Sequence, residues 1–417
     1  MKTFTAIVVL LLACTGTNHG QQPAKDSIEY EPLCTNRYPA VTQPVFRVEY
    51  QNPTADKPQS KLWYAGESWW ALLPTSTGPC LWQRTNDGWK EHTYVAEKLA
   101  GLPGRADVWA EKKQVMAAAV KDLRKVNRSI SVFQLAMKKG SHGIQWQANS
   151  VVELSPPGPD ESIETATIVR DGRGRWWVAA VAGTTVYVWS SSLHGPSWTL
   201  WPLAQGVHSD DICVVTPLPD GEIGVIWSDQ VRDAVLMRQH RDQDPADRWQ
   251  AEQVIDQGNK TADDHLNTCL ASDGALWLAS KNSVDQVGKA QFVLRVRSRT
   301  GWWTNIPYVI KGERQWQSRP IVMATQDPGV VFSAFGGREL APPLLRHPVI
   351  VCSLIDTTRA SILQEPHVVI SPDTSCSRSV QNVTGPRHAF PAQAPWIILA
   401  SDLEGRVYEA DLRKLVQ

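Results

Sequence analysis

The chain has 417 residues, of which 42% are hydrophobic, and this excludes an intrinsically disordered protein because a large core can be buried. Its 42 Lys and Arg residues balance 42 Asp and Glu residues, and no basic stripe occurs. The chain therefore lacks the electrostatic features of a nucleic-acid-binding protein. GxSxG, P-loop, HExxH and dinucleotide-binding motifs are absent from the sequence, which disfavours serine hydrolases, NTPases, zincins and Rossmann oxidoreductases.

The N-terminus has the pattern of an export signal. A charged start is followed by the apolar run Phe4–Ala13, which is too short to span a bilayer. The run ends in Leu-Leu-Ala-Cys and looks like a bacterial lipobox, so residues 1–14 are predicted to be a lipoprotein signal peptide with lipid on Cys14. The alternative is an ordinary signal peptide cut near Gly20. We expect an exported chain, in the outer membrane or periplasm as a lipoprotein or outside the cell, that touches the membrane only through its lipid.

Residues 15–40 are polar and are predicted to be a tether, followed by a single domain over 41–417. Six further cysteines without a CxxC pair give no support for a zinc ribbon. In an exported chain they could form disulfides, and we considered the pairs 34–80, 213–269 and 352–376. The alternative for Cys213 and Cys269, which lie in apolar stretches, is that both are buried free thiols.

A degenerate repeat of about 50 residues runs along this domain. Each unit has a polar opening and four short strand-like segments, separated by turns such as Pro219-Asp220-Gly221 and Ser272-Asp273-Gly274. The repeat predicts an all-β fold: a single β-propeller of about seven four-stranded blades. The blade openings fall near the following residues: Lys61, Asp107, Glu164, Asp211, Asp264, Arg319 and Gln381.

Three further expectations follow from the repeat. Residues 44–50 precede the first opening and are predicted to supply a strand that completes the last blade, because closure removes exposed sheet edges. Residues 111–125 are helix-like in composition, but they occupy the place of strands in the second unit and are predicted to be strands. The late tryptophans of the units are predicted to be core wedges between blades rather than ligand platforms; they are Trp89, Trp198, Trp249 and Trp302.

The segment Ser191–Trp198 resembles a degenerate Asp-box, which is the turn found in sialidase-like BNR-repeat propellers. Leu193 stands in the place of the Asp. Several other segments resemble secreted bacterial propellers of that kind: 60–64, 105–108, 210–212, 223–228, 262–267, 319–322 and 381–384. The resemblance covers about residues 60–410 and implies the fold. Separately, we expect a monomer whose partner is carbohydrate or an envelope glycan. True sialidases use three arginines, a Tyr–Glu pair and an acid Asp. The openings here offer only Arg105 and Arg319, so sialidase activity is not expected.

In a propeller the innermost strands all begin at the same end of the central channel, so the residues before them converge. The candidate catalytic residues are Asp210, Asp211, Asp263, Asp264 and His265. The candidate substrate-binding residues are Lys61, Arg105, Asp107, Glu164, Arg319, Gln381 and Asn382. Clustered carboxylates should be protonated, paired with Arg105, Arg319 or Lys61, or bound to a cation such as Ca²⁺, although no cofactor is required by the sequence.

Two functions remain open at this point. Carboxylates beside a histidine suit a glycoside hydrolase, or a polysaccharide lyase in which an arginine holds a uronate. The alternative is a non-catalytic glycan- or protein-binding propeller or scaffold of the cell envelope, since surface loops are usually polar. A site in which two mouth carboxylates and His265 reach one concave point would favour the enzyme.

Overall fold

The computed structural model describes residues 41–121, 129–140, 143–158, 162–193, 197–313, 315–326, 330–339, 348–357, 361–373 and 380–415. The predicted signal peptide, Cys14, the tether and Cys34 lie outside these residues, as does Cys376. In the described part of the chain, no helix is long and apolar enough to cross a membrane.

The structure is a β-propeller of seven four-stranded antiparallel sheets, which confirms the predicted fold. Blades 1 to 3 follow one another along the chain. Blade 1 contains β2 (Leu62–Ala65), β3 (Ser68–Pro74), β4 (Pro79–Thr85) and β5 (Gly88–Glu91). Blade 2 contains β6 (Arg105–Glu111), β7 (Gln114–Val120), β8 (Ile130–Gly140) and β9 (Gly143–Leu154). Blade 3 contains β10 (Ile163–Arg170), β11 (Trp176–Ala182), β12 (Thr185–Ser191) and β13 (Trp198–Gln205).

The other four blades continue in the same order. Blade 4 contains β14 (Cys213–Leu218), β15 (Glu222–Asp229), β16 (Ala234–Arg241) and β17 (Gln253–Gln257). Blade 5 contains β18 (Leu266–Leu270), β19 (Leu276–Lys281), β20 (Ala290–Arg297) and β21 (Trp303–Ile310). Blade 6 contains β22 (Gln315–Ala324), β23 (Val330–Glu339), β24 (Val349–Asp356) and β25 (Ser361–Ile370). Blade 7 contains β26 (Asn382–Thr384), β27 (Ile397–Ser401), β28 (Arg406–Asp411) and β1 (Phe46–Arg47).

Blade 7 is completed from the far end of the chain. Strand β1 pairs antiparallel with β28, as predicted for residues 44–50, although the paired strand is only two residues long. Phe46 stacks on Trp82 of blade 1 with ring centroids 4.2 Å apart. Gly405 has φ +78°, and a Cβ there would lie 1.9 Å from the carbonyl oxygen of Val48. Only glycine therefore allows the two ends of the chain to approach this closely.

The core lies between neighbouring blades. Tryptophans on the second strands are fully or almost fully buried, and they are Trp70, Trp177, Trp227 and Trp277. Trp89, Trp198 and Trp249 pack against the core, as predicted. The prediction for Trp302 is wrong, because its side chain is 78% exposed. Trp302 lies directly before β21, and the next residue, Trp303, is the one that packs against the core.

The structure decides two other expectations and adds one helix that was not expected. Residues 114–120 form β7, so no helix occupies that part of 111–125; residues 122–125 lie outside the described part. A seven-residue helix, α1 (Thr93–Leu99), follows blade 1 and had no signal in the sequence. Cys213 and Cys269 are buried free thiols, which confirms the stated alternative and excludes the 213–269 pair. Burial raises the pKa of Cys269 to about 12. Cys80 and Cys352 are also buried free thiols.

The central channel is filled by the segment 385–390, which we call the channel segment. It forms isolated bridges with the first strands of three blades, at Leu62, Leu270 and Thr325. Arg387 reaches the opposite side, where its guanidinium donates to the carbonyl oxygens of Ile168 and Val215. The first strands of most neighbouring blades contact one another, and they therefore form an inner ring around this segment.

Candidate functional site

Residues 52–60, which we call the mouth segment, cross the end of the channel where the first strands begin. Asn52 and Asp56 have positive φ values of 49° and 122°. The side chain of Gln59 donates to the carbonyl oxygen of Ala166 at 3.2 Å, and Asn267 donates to that of Pro58 at 3.2 Å. These contacts tie the segment to blades 3 and 5, so it narrows the mouth to a pocket.

The pocket lies between the mouth segment and blades 5, 6 and 7, with about 290 Å³ of space that includes its open side. Polar groups from all four elements line it: Asp56, Lys57, His265, Arg319 and Asn382. The structure thus brings together three of the predicted site residues, namely His265, Arg319 and Asn382. The other lining residues named here belong to the mouth segment, which has no strand pattern.

His265 is held by two carboxylates at one edge of this pocket. Its Nδ1 lies 2.6 Å from Oδ1 of Asp264 and is also hydrogen-bonded to Oδ1 of Asp263. These residues directly precede β18, and the potential ligand atoms of all three lie within 4.8 Å of one another. We call the three residues the His265 cluster. The carboxylates of Asp263 and Asp264 therefore both lie within hydrogen-bonding distance of the same atom, Nδ1 of His265.

Two lysines compensate the charge of this cluster. Lys57 Nζ contacts Oδ2 of Asp264, and Lys281 Nζ lies 2.9 Å from Oδ2 of Asp263. Burial alone would raise the pKa of Asp264, but its contacts with His265 and Lys57 hold that pKa far below the ordinary value. Carboxylate repulsion is thus relieved by lysines that the sequence patterns did not indicate. Of the three ways expected to relieve this repulsion, pairing with cationic side chains is the one seen among the described residues, and a bound cation such as Ca²⁺ stays a prediction.

Arg319 projects from a bulge in β22. The register with β23 shifts between Ser318 and Ile321, and Arg319 has φ +58°, which is uncommon for a residue with a side chain. Its guanidinium donates to Oγ of Ser318 at 3.3 Å and forms no ion pair with a carboxylate of the described residues. A half-buried guanidinium that is not paired with a carboxylate of the described residues is suited to bind an anionic group of a ligand.

Glu164, at the start of β10, is half-buried and makes no ion pair with the described residues. Burial raises the pKa of Glu164, Lys57 opposes this shift, and the nearby charges of Asp264 and Asp210 add to it. A carboxylic acid that keeps its proton to higher pH is suited to general acid chemistry.

Lys61 and Arg105 lie deeper than the pocket. Arg105 pairs with Asp56, and although burial alone would raise the pKa of Asp56, this guanidinium holds it below the ordinary value. Lys61 Nζ donates to Oε1 of Gln59 at 2.9 Å and to the carbonyl oxygen of Ala106 at 3.1 Å. Burial lowers the pKa of Lys61 to about 8. Both cations support the mouth segment from within the channel.

The remaining predicted site residues are placed differently. Asp107 is fully buried, pairs with Arg387, and accepts the backbone amides of Ser60 and Ile168 at 2.8 and 2.9 Å. Asp211 accepts the backbone amide of His208 at 2.7 Å and the side-chain amide of Gln230 at 3.0 Å. Both carboxylates therefore hold backbone in place.

Asp210 is exposed, and Gln381 is half-buried beside blade 6, where a Cβ on Gly336 would lie 2.7 Å from its carbonyl oxygen. No sequence pattern indicated Ser318, although it directly precedes the predicted site residue Arg319. Asp56 and Lys57 come from the mouth segment, and Arg387 from the channel segment, and neither segment follows the blade pattern.

No protein-family model matches this chain, and no curated protein matches it. Among solved structures, it is similar to a mutant of Trypanosoma rangeli sialidase displaying trans-sialidase activity, with 10% identity, TM-score 0.46, and coverage of 72% of this chain and 58% of that one. It is also similar to a protein from Lactobacillus plantarum, with 16% identity, TM-score 0.49, and coverage of 78% and 88%. A third similar structure is that of a point mutant of NanB sialidase from Streptococcus pneumoniae, with 10% identity, TM-score 0.42, and coverage of 80% and 70%.

The chain thus spans less than two thirds of the trypanosomal sialidase it matches.

Proposed function

We propose that the protein acts on carbohydrate in the mouth pocket, binding an acidic sugar residue through Arg319 and transferring protons through His265. The proposal is carried by one observation: Arg319, free of carboxylate partners among the described residues, lines the same pocket as a histidine held by two carboxylates. Arginine supplies charge and fork geometry for a sugar carboxylate or sulfate. The carboxylates fix the orientation of the imidazole that exchanges the proton.

Glu164 is the proposed proton donor. Its pKa is raised by burial and by its carboxylate neighbours, so it supplies a proton at a pH where an exposed glutamate does not. Its charge also interacts with that of Arg319, which places the two groups within electrostatic reach of each other. The roles assigned to Lys57 and Asp56 are structural, because both are engaged in ion pairs.

The experiment is a screen of the purified protein on acidic and neutral polysaccharides, following new reducing ends and the absorbance of unsaturated uronates. We expect turnover of an acidic polymer, and loss of turnover in His265→Ala and Asp264→Asn with the melting temperature changed by only a few degrees. Arg319→Gln should weaken binding of the acidic polymer. Arg299→Gln, at an exposed arginine paired with Asp220, is its matched control. Lower stability with activity per folded molecule intact would instead make the His265 cluster structural.

A second candidate is a non-catalytic glycan- or protein-binding propeller. The use of Asp107 and Asp211 as backbone anchors favours it, because much of the acidic mouth is then structural. Saturable binding of a glycan without turnover in the same screen would select this function.

We also propose that the protein is exported and anchored through lipid on Cys14. This rests on the pattern of residues 1–14, which lie outside the described part of the chain.

A further inference from the structure

Ser318, His265 and Asp263 form a chain of three polar groups, of which His265 lines the pocket. Oγ of Ser318 lies 3.1 Å from Nε2 of His265, and Nδ1 of the same ring is hydrogen-bonded to Oδ1 of Asp263. Asp263 is in turn held by Lys281 Nζ and Ser283 Oγ, each 2.9 Å from its Oδ2. A hydroxyl, an imidazole and a fixed carboxylate in this order are the components of an activated serine.

The two carboxylates determine which nitrogen carries the ring proton. A carboxylate oxygen accepts a hydrogen bond from an imidazole N–H, so the contacts of Asp263 and Asp264 with Nδ1 both favour a proton on that nitrogen. In the neutral imidazole the lone pair is then on Nε2, directed at the hydroxyl of Ser318. The proton within reach of this base is therefore the one on Ser318 Oγ.

The backbone around Ser318 is also unusual. Ser318 is the last residue paired in register before the bulge of β22, and the positive φ of Arg319 follows directly. Ser318 is 5% exposed and contacts two residues that line the pocket, His265 and Arg319. The guanidinium of Arg319, 3.3 Å from Oγ, is placed to stabilise negative charge that develops beside an attacking oxygen.

We infer that Ser318 is a nucleophile and that the pocket hydrolyses an O-acyl ester carried by its carbohydrate ligand. This rests on the proposed function for the identity of the ligand. Oγ of Ser318 attacks the acyl carbonyl carbon while its proton passes to Nε2 of His265. The bond between that carbon and the sugar oxygen breaks, and the sugar hydroxyl takes the proton from His265. Water then attacks the acyl-serine, passes a proton to His265, and Oγ recovers that proton as the carboxylic acid leaves.

The absence of a GxSxG motif does not conflict with this assignment, because that motif describes a serine on a turn between a strand and a helix. Here the serine lies within a bulged strand, and its partner histidine precedes a strand of the neighbouring blade. The same three groups occur on several unrelated folds with different chain orders.

The test uses the full chain, an alkyl fluorophosphonate as a covalent probe, and p-nitrophenyl acetate as an ester substrate. We expect a single adduct located by peptide mass mapping at Ser318, with labelling and ester hydrolysis at least 10-fold slower in Ser318→Ala and His265→Ala. Ser353→Ala is the matched control, since Ser353 is a fully buried serine of the same blade. If Ser318→Ala does not fold, Ser318→Cys replaces it, and alkylation of the new thiol should depend on His265.

No adduct at Ser318 in the folded wild type, or labelling that is unaffected by His265→Ala, would overturn the inference. Retained binding of an acidic polysaccharide in that case would leave the proposed function intact. An adduct at Ser318 without binding of any polysaccharide would support the nucleophile and contradict the carbohydrate ligand.

Discussion

Nη1 of Arg387 lies 2.5 Å from Oδ2 of Asp107, and the two side chains are only 2% and 0% exposed. Asp107 belongs to the first strand of blade 2, whereas Arg387 comes from the channel segment, 280 residues further along the chain. The guanidinium also donates to carbonyl oxygens of blades 3 and 4. One buried ion pair thus links the late channel segment to the early half of the ring.

Replacing one member of this pair should leave the other as an uncompensated buried charge. We expect Arg387→Met to lower the free energy of unfolding by about 3–5 kcal/mol. The double variant Arg387→Met with Asp107→Asn should lose less than the sum of the single variants, since no charge is then left alone. Urea unfolding of all four proteins measures this coupling, and strict additivity would contradict it.

Closure of blade 7 depends on the glycine that faces the N-terminal strand. We expect Gly405→Ala to lower the melting temperature by clearly more than Gly206→Ala. Both positions have φ near +80°, but a Cβ at Gly206 meets nothing within 4 Å, whereas at Gly405 it would clash with the carbonyl of Val48. Both variants carry the same backbone strain of about 1–2 kcal/mol. The difference between their melting temperatures therefore measures the clash with the carbonyl of Val48. Equal losses in thermal unfolding would show that the closure tolerates a methyl group.

Lys61 should make stability depend on pH in the alkaline range. Its pKa is about 8 in the fold and 10.5 in a free lysine, so between these values the unfolded chain binds more protons. Stability should then rise with pH by up to about 1.4 kcal/mol per unit as the buried charge is lost. The stability of wild type relative to Lys61→Met should therefore increase from pH 7 to pH 10 in urea unfolding. Lys90→Met, at an exposed lysine, serves as control, and a constant difference for Lys61→Met would oppose the prediction.

Glu164 should control the binding of acidic ligands as pH changes. Its raised pKa means that it is neutral at low pH and becomes an anion as the pH rises, adding negative charge to the mouth. We expect the affinity of the wild type for an acidic polysaccharide to fall as the pH rises and Glu164 ionises. The Glu164→Gln variant should keep the higher affinity at the higher pH. Calorimetric titration across a pH series measures this. Glu97→Gln, at an exposed glutamate of α1, should behave as wild type, and a pH profile shared by all three proteins would remove Glu164 from the site.

Cys14 is expected to carry lipid. Cells that express the wild type should incorporate labelled palmitate into the protein, and cells that express Cys14→Ala should not. Equal labelling of both proteins, or labelling of neither, would reject the anchor.

The sequence was informative where the fold repeats itself. Turns such as Pro219-Asp220-Gly221 and the polar residues before each first strand recur at similar spacing, so the seven blades and their openings could be predicted. The radial arrangement of the blades was enough to predict that His265, Arg319 and Asn382 would lie close together, and all three line one pocket. Which of the adjacent residues Trp302 and Trp303 packs against the core could not be predicted, because it depends on the residue at which β21 begins.

The two segments that complete the candidate site could not be predicted from the repeat of the blades. The mouth and channel segments lie between strands, and their contacts join residues far apart in sequence, as between Lys57 and Asp264. Ser318 meets His265 only because β22 bulges at that point. A shift of one residue in a strand reverses the direction of its side chains, and no pattern in a single sequence specifies where such a shift falls.

The channel segment has a consequence for how a polymer could use the mouth. Because Arg387 and its neighbours occupy the inside of the ring, a polymer chain cannot thread from one face of the propeller to the other. A ligand must enter and leave by the same opening. A terminal sugar, a branch or a projecting substituent fits a pocket with a single opening. The middle of an unbranched polysaccharide can only lie across the rim of such a pocket.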